Sequence, residues 1–374
     1  MRVVVSWILI YAFYWLVQTY FAKHWDKNLT VRIFCEKEYA YEGDELCLIE
    51  ELENRKHLVL PAVTVKFTTS KYWEFFEQKE GATTDQYYRK DVFSIGTKER
   101  IRRKLPFICK QRGYFVLGDM DVFVQDFFYE NGYMKRVKNE QWIYVFAKRV
   151  RTPEVENAFR HMLGEVMAKT RLYEDPFTFS GLRDYQSYDT VRKINWKASA
   201  KTGQWKVNCY EYTSALAINF LLLFEQKNVD WDKSMEEYAI SLTVTMAEKF
   251  LEHGVNVSLK SNALDAENGR QIEVGAGAGN YHMRRMDEAI ARINLFQTEK
   301  ELESAEDFLE SGMQRDSINL LITTCRSQRV QQMLKEKAVE GYDFFWMLPH
   351  YEMDLVSVDE ELGKQLVEIV TYLE

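Results

Sequence analysis

The chain has 374 residues, a formal net charge of −8 and 46% hydrophobic content. That apolar share excludes a disordered chain, and the length favours two or three packed domains. The acid gathers in residues 299–310 and 359–361, which argues against broad nucleic-acid binding and for protein partners. Five cysteines, Cys35, Cys47, Cys109, Cys209 and Cys325, are odd in number and form no CxxC pair, so they read as reduced thiols of a cytoplasmic body.

The chain opens on a membrane anchor. Residues 3–22 carry no charge, and a helix of about 20 residues at 1.5 Å each spans the roughly 30 Å hydrocarbon layer. Trp7, Tyr11, Tyr14, Trp15, Tyr20 and Trp25 add interfacial aromatics, and residues 20–24 make a poor signal-peptide cleavage site. A buried N-terminal helix is the alternative. Arg2 lies on one side of this segment and Lys23, Lys27 and Arg32 on the other, a slight bias that favours a single pass with the body in the cytoplasm.

Residues 29–150 predict an all-β module of seven or eight short strands, a β-sandwich. Leu29, Val31, Ile33 and Cys35 alternate with polar or outward residues, as do Val63, Val65 and Phe67, then Trp142, Tyr144 and Phe146. Gly43, Gly96, Gly113, Gly118 and Asn131-Gly132 mark turns between them. The basic run Lys98, Arg100, Arg102, Arg103 and Lys104 reads as a solvated strand face, or as a contact for anionic lipid. Thr152-Pro153-Glu154 then starts a connector helix that ends near Lys169, with Val155, Phe159, Met162, Leu163 and Val166 at helical spacing. His161 on it is a packed or exposed histidine, not a ligand.

Residues 179–212 concentrate charges, an indole and small residues. Asp189 predicts an N-cap for a short helix from about Thr190 to Ala200, and Gly203 a stop. Arg183, Arg192, Lys193, Lys197 and Lys201 face Asp184, Asp189 and Glu211 as local partners, and arginine can clamp a carboxylate with two parallel bonds. The segment is then a structural clasp, or a docking surface for an acidic partner formed by Arg183, Asp184, Tyr185, Asp189, Arg192, Asn195, Trp196, Lys197 and Ser199. No acid-base pair stands beside these carboxylates, so catalysis is the weakest account.

Gly181-Leu182-Arg183, Tyr185, Asp189, Arg192, Ile194, Trp196-Lys197-Ala198-Ser199-Ala200 and Thr202-Gly203 resemble, in order, the signature of domain-of-unknown-function family fifty-eight. Where that family has Gly-Asp, this chain has Tyr188-Asp189. Arg112-Gly113-Tyr114 is similar to a further family strand, but the Asp-Pro-Phe-Gly expected after it is Asp126-Phe127-Phe128-Tyr129. The resemblance implies a von Willebrand factor A-like (Rossmann-like) domain after the signature, partnership with a MoxR-type AAA+ ATPase, and often two spans before a body inside the cell. A single span here implies an outside amino terminus.

Beyond the signature, apolar strands alternate with helices, the pattern of a doubly wound parallel sheet. Residues 218–224 form the first strand; Ser234 and Glu237 predict a capping box for a helix stopped by Gly254; strands follow at 255–259, 318–323 and 342–348. Helices are expected near 281–295, 301–310 and 328–339, with a closing helix over 359–373. The fold class is thus α/β plus all-β: membrane anchor 1–25, β-sandwich 29–150, helical connector 151–178, and the signature-bearing domain 179–374.

Ligands of such sheets sit at the carboxyl ends of the strands. Von Willebrand factor A-like domains carry Asp-x-Ser-x-Ser there for Mg²⁺; this chain has Glu225-Gln226-Lys227-Asn228, a degenerate metal-ion-dependent adhesion site. No metal and no cofactor are therefore expected. Gly275-Ala276-Gly277-Ala278-Gly279 lacks the lysine and hydroxyl of a phosphate loop and reads as a flexible connector. Two function classes follow: a non-enzymatic, membrane-tethered adaptor or assembly factor, or an enzyme or ligand binder using a cleft of Glu225, Gly277, His282 and Thr324.

Overall fold

The computed structural model describes residues 2–76, 86–172, 174–186, 189–212, 217–224, 232–295, 302–354 and 356–371. The chain forms two compact units, Met1–Lys148 and Arg149–Glu374.

Helix α1 (Arg2–His24) opens the first unit and is, among the described residues, the one helix long and apolar enough to cross a membrane. Its first sixteen residues expose valines, leucines, isoleucines and aromatics all round, while Phe21 and Trp25 join the core of the β module. Eleven strands follow: β1 (Leu29–Cys35), β2 (Tyr39–Tyr41), β3 (Glu45–Asn54), β4 (Leu60–Ser70), β5 (Trp73–Phe75), β6 (Gln86–Ile95), β7 (Arg100–Cys109), β8 (Gly113–Leu117), β9 (Met120–Gln125), β10 (Gly132–Val137) and β11 (Gln141–Phe146). They pair as β1-β3-β7-β5, β10-β9-β4-β6 and β2-β11-β8, around one apolar core that includes Ile33, Leu48, Leu52, Val63, Val65 and Phe107. There are more strands than the turn signals predicted, in part because Tyr39–Tyr41 and Trp73–Phe75 are too short to show alternation.

The basic run of β7 lies opposite the acids of β3, with Glu51 paired to Arg102 and Glu53 to Arg100 in register. Glu51 accepts from Arg100 at 2.6 Å and from Arg102 at 2.7 Å, so this face supplies its own counter-charges. Arg103 instead turns inward, donating at 2.7 Å to buried Asp91, which also accepts from Arg89 at 2.8 Å. Glu50 is completely buried beside them, and neither of its carboxyl oxygens makes a hydrogen bond among the described residues. Burial, reinforced by the Asp91 charge, pushes its carboxyl up to about 8.

The second unit begins with α2 (Pro153–Leu172), then β12 (Glu174–Asp184), α3 (Trp196–Thr202), β13 (Lys206–Tyr212), β14 (Ala217–Leu222), α4 (Lys233–Glu252), β15 (Asn256–Leu264), β16 (Gln271–Gly277), α5 (Gly279–Ala291), α6 (Ala305–Gly312), β17 (Ile318–Ile322), α7 (Gln328–Val339), β18 (Phe344–Tyr351) and β19 (Leu366–Thr371). A six-stranded sheet runs β16-β15-β14-β17-β18-β19, parallel throughout except for the antiparallel edge strand β16. Leu221, Leu321, Trp346 and Leu348 pack on one face under α6 and α7. Phe220 meets Phe250 of α4 on the other, with ring centroids 6.2 Å apart. Helices therefore cover both faces, as buried parallel strands require.

Several expectations change. The closing helix over 359–373 is a single 3-10 turn, Glu360–Leu362, followed by β19. Val367, Ile369 and Val370 favour extended backbone, and pairing with β18 supplies the sheet bonds. At α4 the N-cap is Asp232, which accepts from the Ser234 amide at 2.8 Å, displacing the expected Ser234 capping box. Asp189 caps no helix; Asn195 does, at the start of α3. The glycine-rich segment is not a loop: β16 runs through Gly275 to Gly277, and only Gly279 takes a left-handed φ of +80° before α5.

Candidate functional site

The strands β12 and β13 form a two-stranded antiparallel sheet, Arg183 opposite Val207 and Asp184 opposite Lys206, which holds the two ends of the signature together. Arg183 donates from Nη1 and Nη2 to the two carboxylate oxygens of Asp189, both at 2.6 Å. The Gln186 amide donates to the same carboxylate at 2.8 Å, closing the turn after β12. This is the two-bonded clamp that arginine geometry favours, and it explains why Asp189 is not available to cap a helix. Tyr188 lies outside the described residues.

Asn195 is the second fixed point. Its Oδ1 accepts from the Ala198 amide at 2.9 Å, its Nδ2 donates to Asn208 Oδ1 at 2.7 Å, and its own amide donates to the Lys206 carbonyl at 2.8 Å. Ser199 completes the tie: its hydroxyl donates to the Asn195 carbonyl at 2.8 Å and accepts from the Lys206 amide at 2.9 Å. Gly203 ends α3 with φ +70°, its amide bonded to the Ser199 carbonyl. Asp184 pairs with Lys206 across the strands. Arg183, Asp184, Asp189, Asn195 and Ser199 therefore build a frame.

Trp196, Lys197 and Arg192 do something else. Trp196 opens α3 yet is 62% exposed, and Trp205, across the turn from it, is 56% exposed. Their rings lie 6.5 Å apart, and Tyr185 meets Trp205 edge-on at 5.3 Å. Val191 and Leu182 are also exposed on this segment, and Arg192, Lys197 and Lys201 are solvent-facing cations of the same segment. Two large aromatics left in water on a cross-tied frame form a surface suited to a partner, because buried tryptophan, tyrosine and arginine contribute most to protein interfaces. Trp205 was not singled out from sequence; its signal was an indole in a Gly-Gln-Trp turn, where no core periodicity asks for one.

The candidate cleft does not come together. Gly277 pairs with Val257 at the amino end of β15, and His282 donates from Nε2 to the Val257 carbonyl at 2.9 Å. A Cβ at Gly277 would stand 2.5 Å from His282 Nδ1, so the glycine serves to admit the ring. Thr324 lies past the carboxyl end of β17, at the other end of the sheet. Glu225 lies outside the described residues.

At that carboxyl end the sheet order reverses between β14 and β17, where ligands of open α/β sheets bind. The Phe224 amide and carbonyl are both bonded by the Asn262 side chain, at 2.9 and 2.8 Å. The Thr324 hydroxyl donates to Glu236 at 2.7 Å, and Tyr351 donates to Asp232 at 2.7 Å, where burial and that bond push its phenol up to about 12. Glu236, buried on the first turn of α4, is an acid that sequence reasoning missed, because its place in a helix looks like a surface charge. Among the described residues no group of three or more His, Cys, Asp or Glu side chains stands close enough to hold a metal ion.

Solved structures with a likeness to parts of the chain include the CARDB domain of PF1109 from Pyrococcus furiosus, 16% identical over 30% of this chain and 91% of that one, with a TM-score of 0.19. A non-cellulosomal cohesin from Archaeoglobus fulgidus is 12% identical over 34% of this chain and 97% of its own, with a TM-score of 0.22. A cohesin module from a Clostridium perfringens family 33 glycoside hydrolase is 14% identical over 30% and 96%, with a TM-score of 0.20. Scores this low carry no argument about function. No curated protein matches the chain. Residues 181–340, from the clamped signature through β17 to the end of α7, match the family described as "Protein of unknown function DUF58".

Proposed function

We propose that this protein is a membrane-anchored adaptor or assembly factor that captures an acidic partner, a MoxR-type AAA+ ATPase, on the exposed indole and cation surface of the signature segment. The observation that carries the proposal is the pair Trp196 and Trp205, exposed on a frame locked by Arg183, Asp189, Asn195 and Ser199, in a segment whose Arg192, Lys197 and Lys201 are also exposed. A frame tied at so many points presents its aromatics with little ordering cost on binding. The cations give complementarity to acidic surface and speed encounter.

Three further features support this account. Helix α1 exposes apolar side chains on every face over most of its length, as a lipid-facing span does. The strand order of the second unit, with five parallel strands and one antiparallel edge, is compatible with a von Willebrand factor A-like domain. In that domain the tip of β14 would lack the paired hydroxyls of a metal-ion-dependent adhesion site, since Glu225-Gln226-Lys227-Asn228 follows Phe224. The body then lies in the cytoplasm, on the side of the ATPase. The test is binding of the ATPase from the same organism to the full-length protein in nanodiscs, with Trp196→Ala as the disabling variant.

A further inference from the structure

Helix α1 does not leave the β module as a free stalk. Tyr14, Gln18, Phe21 and Trp25, at helical spacing, face the hairpin of β9 and β10. Phe128 lies 5.0 Å from Tyr14 and Phe127 5.5 Å from Phe21, ring to ring; Asn131 donates to Gln18 at 3.2 Å; the Tyr14 hydroxyl donates to Glu130. Further down, Tyr133 stacks on Trp25 at 5.7 Å and Lys135 pairs with Asp26 at 3.0 Å. The hairpin thus runs along the helix, with its tip toward the apolar amino end.

The tip is held by Asp126, whose carboxylate accepts from the amides of Phe128, Glu130 and Asn131 at 3.0 to 3.1 Å. That cage keeps Tyr129 at φ +57°, a left-handed conformation costly for a bulky residue. Although Phe127 and Phe128 touch the helix, Phe128 stays 46% exposed and Tyr129 58% exposed. Three consecutive aromatics in a strained tip have no folding purpose that needs them wet.

Helix length fixes their depth. At 1.5 Å per residue, a hydrocarbon layer of about 30 Å measured from Val3 ends near Ala22 and would draw the tip, with Asp126 and Glu130, inside the hydrocarbon, so the span that leaves the tip at the interface is the exposed run that ends near Leu16. A layer thinned to the about 21 Å from Val3 to Leu16 still reaches Tyr14, and with it Phe128. Resting on the anchoring proposed above, we infer that the β9–β10 tip enters the lipid interface beside the span, its three aromatics forming a second membrane contact that fixes the β module against the bilayer. Aromatic rings favour that layer, and the partner is the bilayer itself.

The test places a photoactivatable diazirine phenylalanine at position 128 of the full-length protein, reconstituted in vesicles of phosphatidylethanolamine and phosphatidylglycerol. Position 13, in the span, reports anchoring. Position 88 is the control: Tyr88 is an exposed aromatic of the same sheet, paired with Thr68 past the stretch of β4 that meets β9 and on the side away from the tip. Lipid adducts at 128 comparable with those at 13, and at least about tenfold above those at 88, support the inference. Adducts at 13 with none above control at 128 overturn it while leaving the anchor intact; crosslinks at 128 that join two chains, as distinct from those to the chain's own helix beside Tyr14, also overturn it, assigning the tip to a second copy. Absence at both 13 and 128 overturns the inference together with the anchoring.

Discussion

Asn195 and Trp196 are neighbours in the chain with opposite surroundings, so replacing each by alanine separates the frame of the proposed docking surface from its face. Asn195→Ala removes the cap on the Ala198 amide and the bond to Asn208. The first is worth about 1 kcal/mol and the second about 0.5 to 1.5 kcal/mol, together about 10- to 70-fold in local opening. Trp196→Ala removes a side chain that is mostly in water, with an expected change of about 0.5 kcal/mol or less, roughly twofold. The assay is native-state hydrogen exchange by mass spectrometry on peptides covering residues 195–207, where the Ala198, Ser199, Gly203 and Lys206 amides are protected by these bonds. Faster exchange in the Asn195 variant with near-parent exchange in the Trp196 variant is the expected pattern. Equal or greater loosening on Trp196→Ala would show that the indole is structural, and would remove the ground for treating it as a docking group.

Other predictions follow from single sites. An acid whose folded-state pKa is raised contributes full stability below the ordinary carboxylate range near pH 4 and loses it as pH rises through the folded value, here about 8 for Glu50. Glu50→Gln should therefore gain on the parent between pH 5 and 9 by on the order of a few kcal/mol, read as diverging melting temperatures; parallel curves would refute the buried, protonated state. Gly277→Ala drives a methyl to 2.5 Å from His282 Nδ1 and should destabilise the second unit by about 1 to 3 kcal/mol, measured by denaturant melting; an unchanged midpoint would mean the ring moves freely. Mg²⁺ should give no thermal shift, whereas a specific site at a hundred times its dissociation constant would add about 2.7 kcal/mol.

Much of this architecture was legible in local pattern. The uncharged run of α1, the apolar strand β14, the helix start at Pro153 and the stop at Gly203 each follow from hydrophobic spacing or from one residue's backbone preference. Errors arose where a tertiary partner, near or far in the chain, decided the outcome. Asp189 looks like a cap because aspartate bonds nearby amides, but Arg183 claims it first. Residues 359–373 carry charges at helical spacing, yet an open edge of β18 was available to pair with Leu366–Thr371. The glycines at 275–279 suggested a loop, and their actual constraint is the His282 ring packed against Gly277. The aromatic tip at Phe127–Tyr129 read only as a departure from a family turn, because its neighbours Tyr14 and Phe21 are more than a hundred positions away.

The central proposal is that the exposed indoles and cations of the signature segment capture an AAA+ ATPase while the strand-end acid region does not. Its most direct measurement is the dissociation constant of the full-length protein in nanodiscs for the MoxR-type ATPase of the same organism, with Trp196→Ala and Glu225→Ala compared against the parent. The prediction is a weakening of about 30-fold or more for Trp196→Ala, the 2 kcal/mol of an interface hot spot, and no change for Glu225→Ala. Parent-like affinity for Trp196→Ala, or loss of binding on Glu225→Ala with the fold intact, would contradict it.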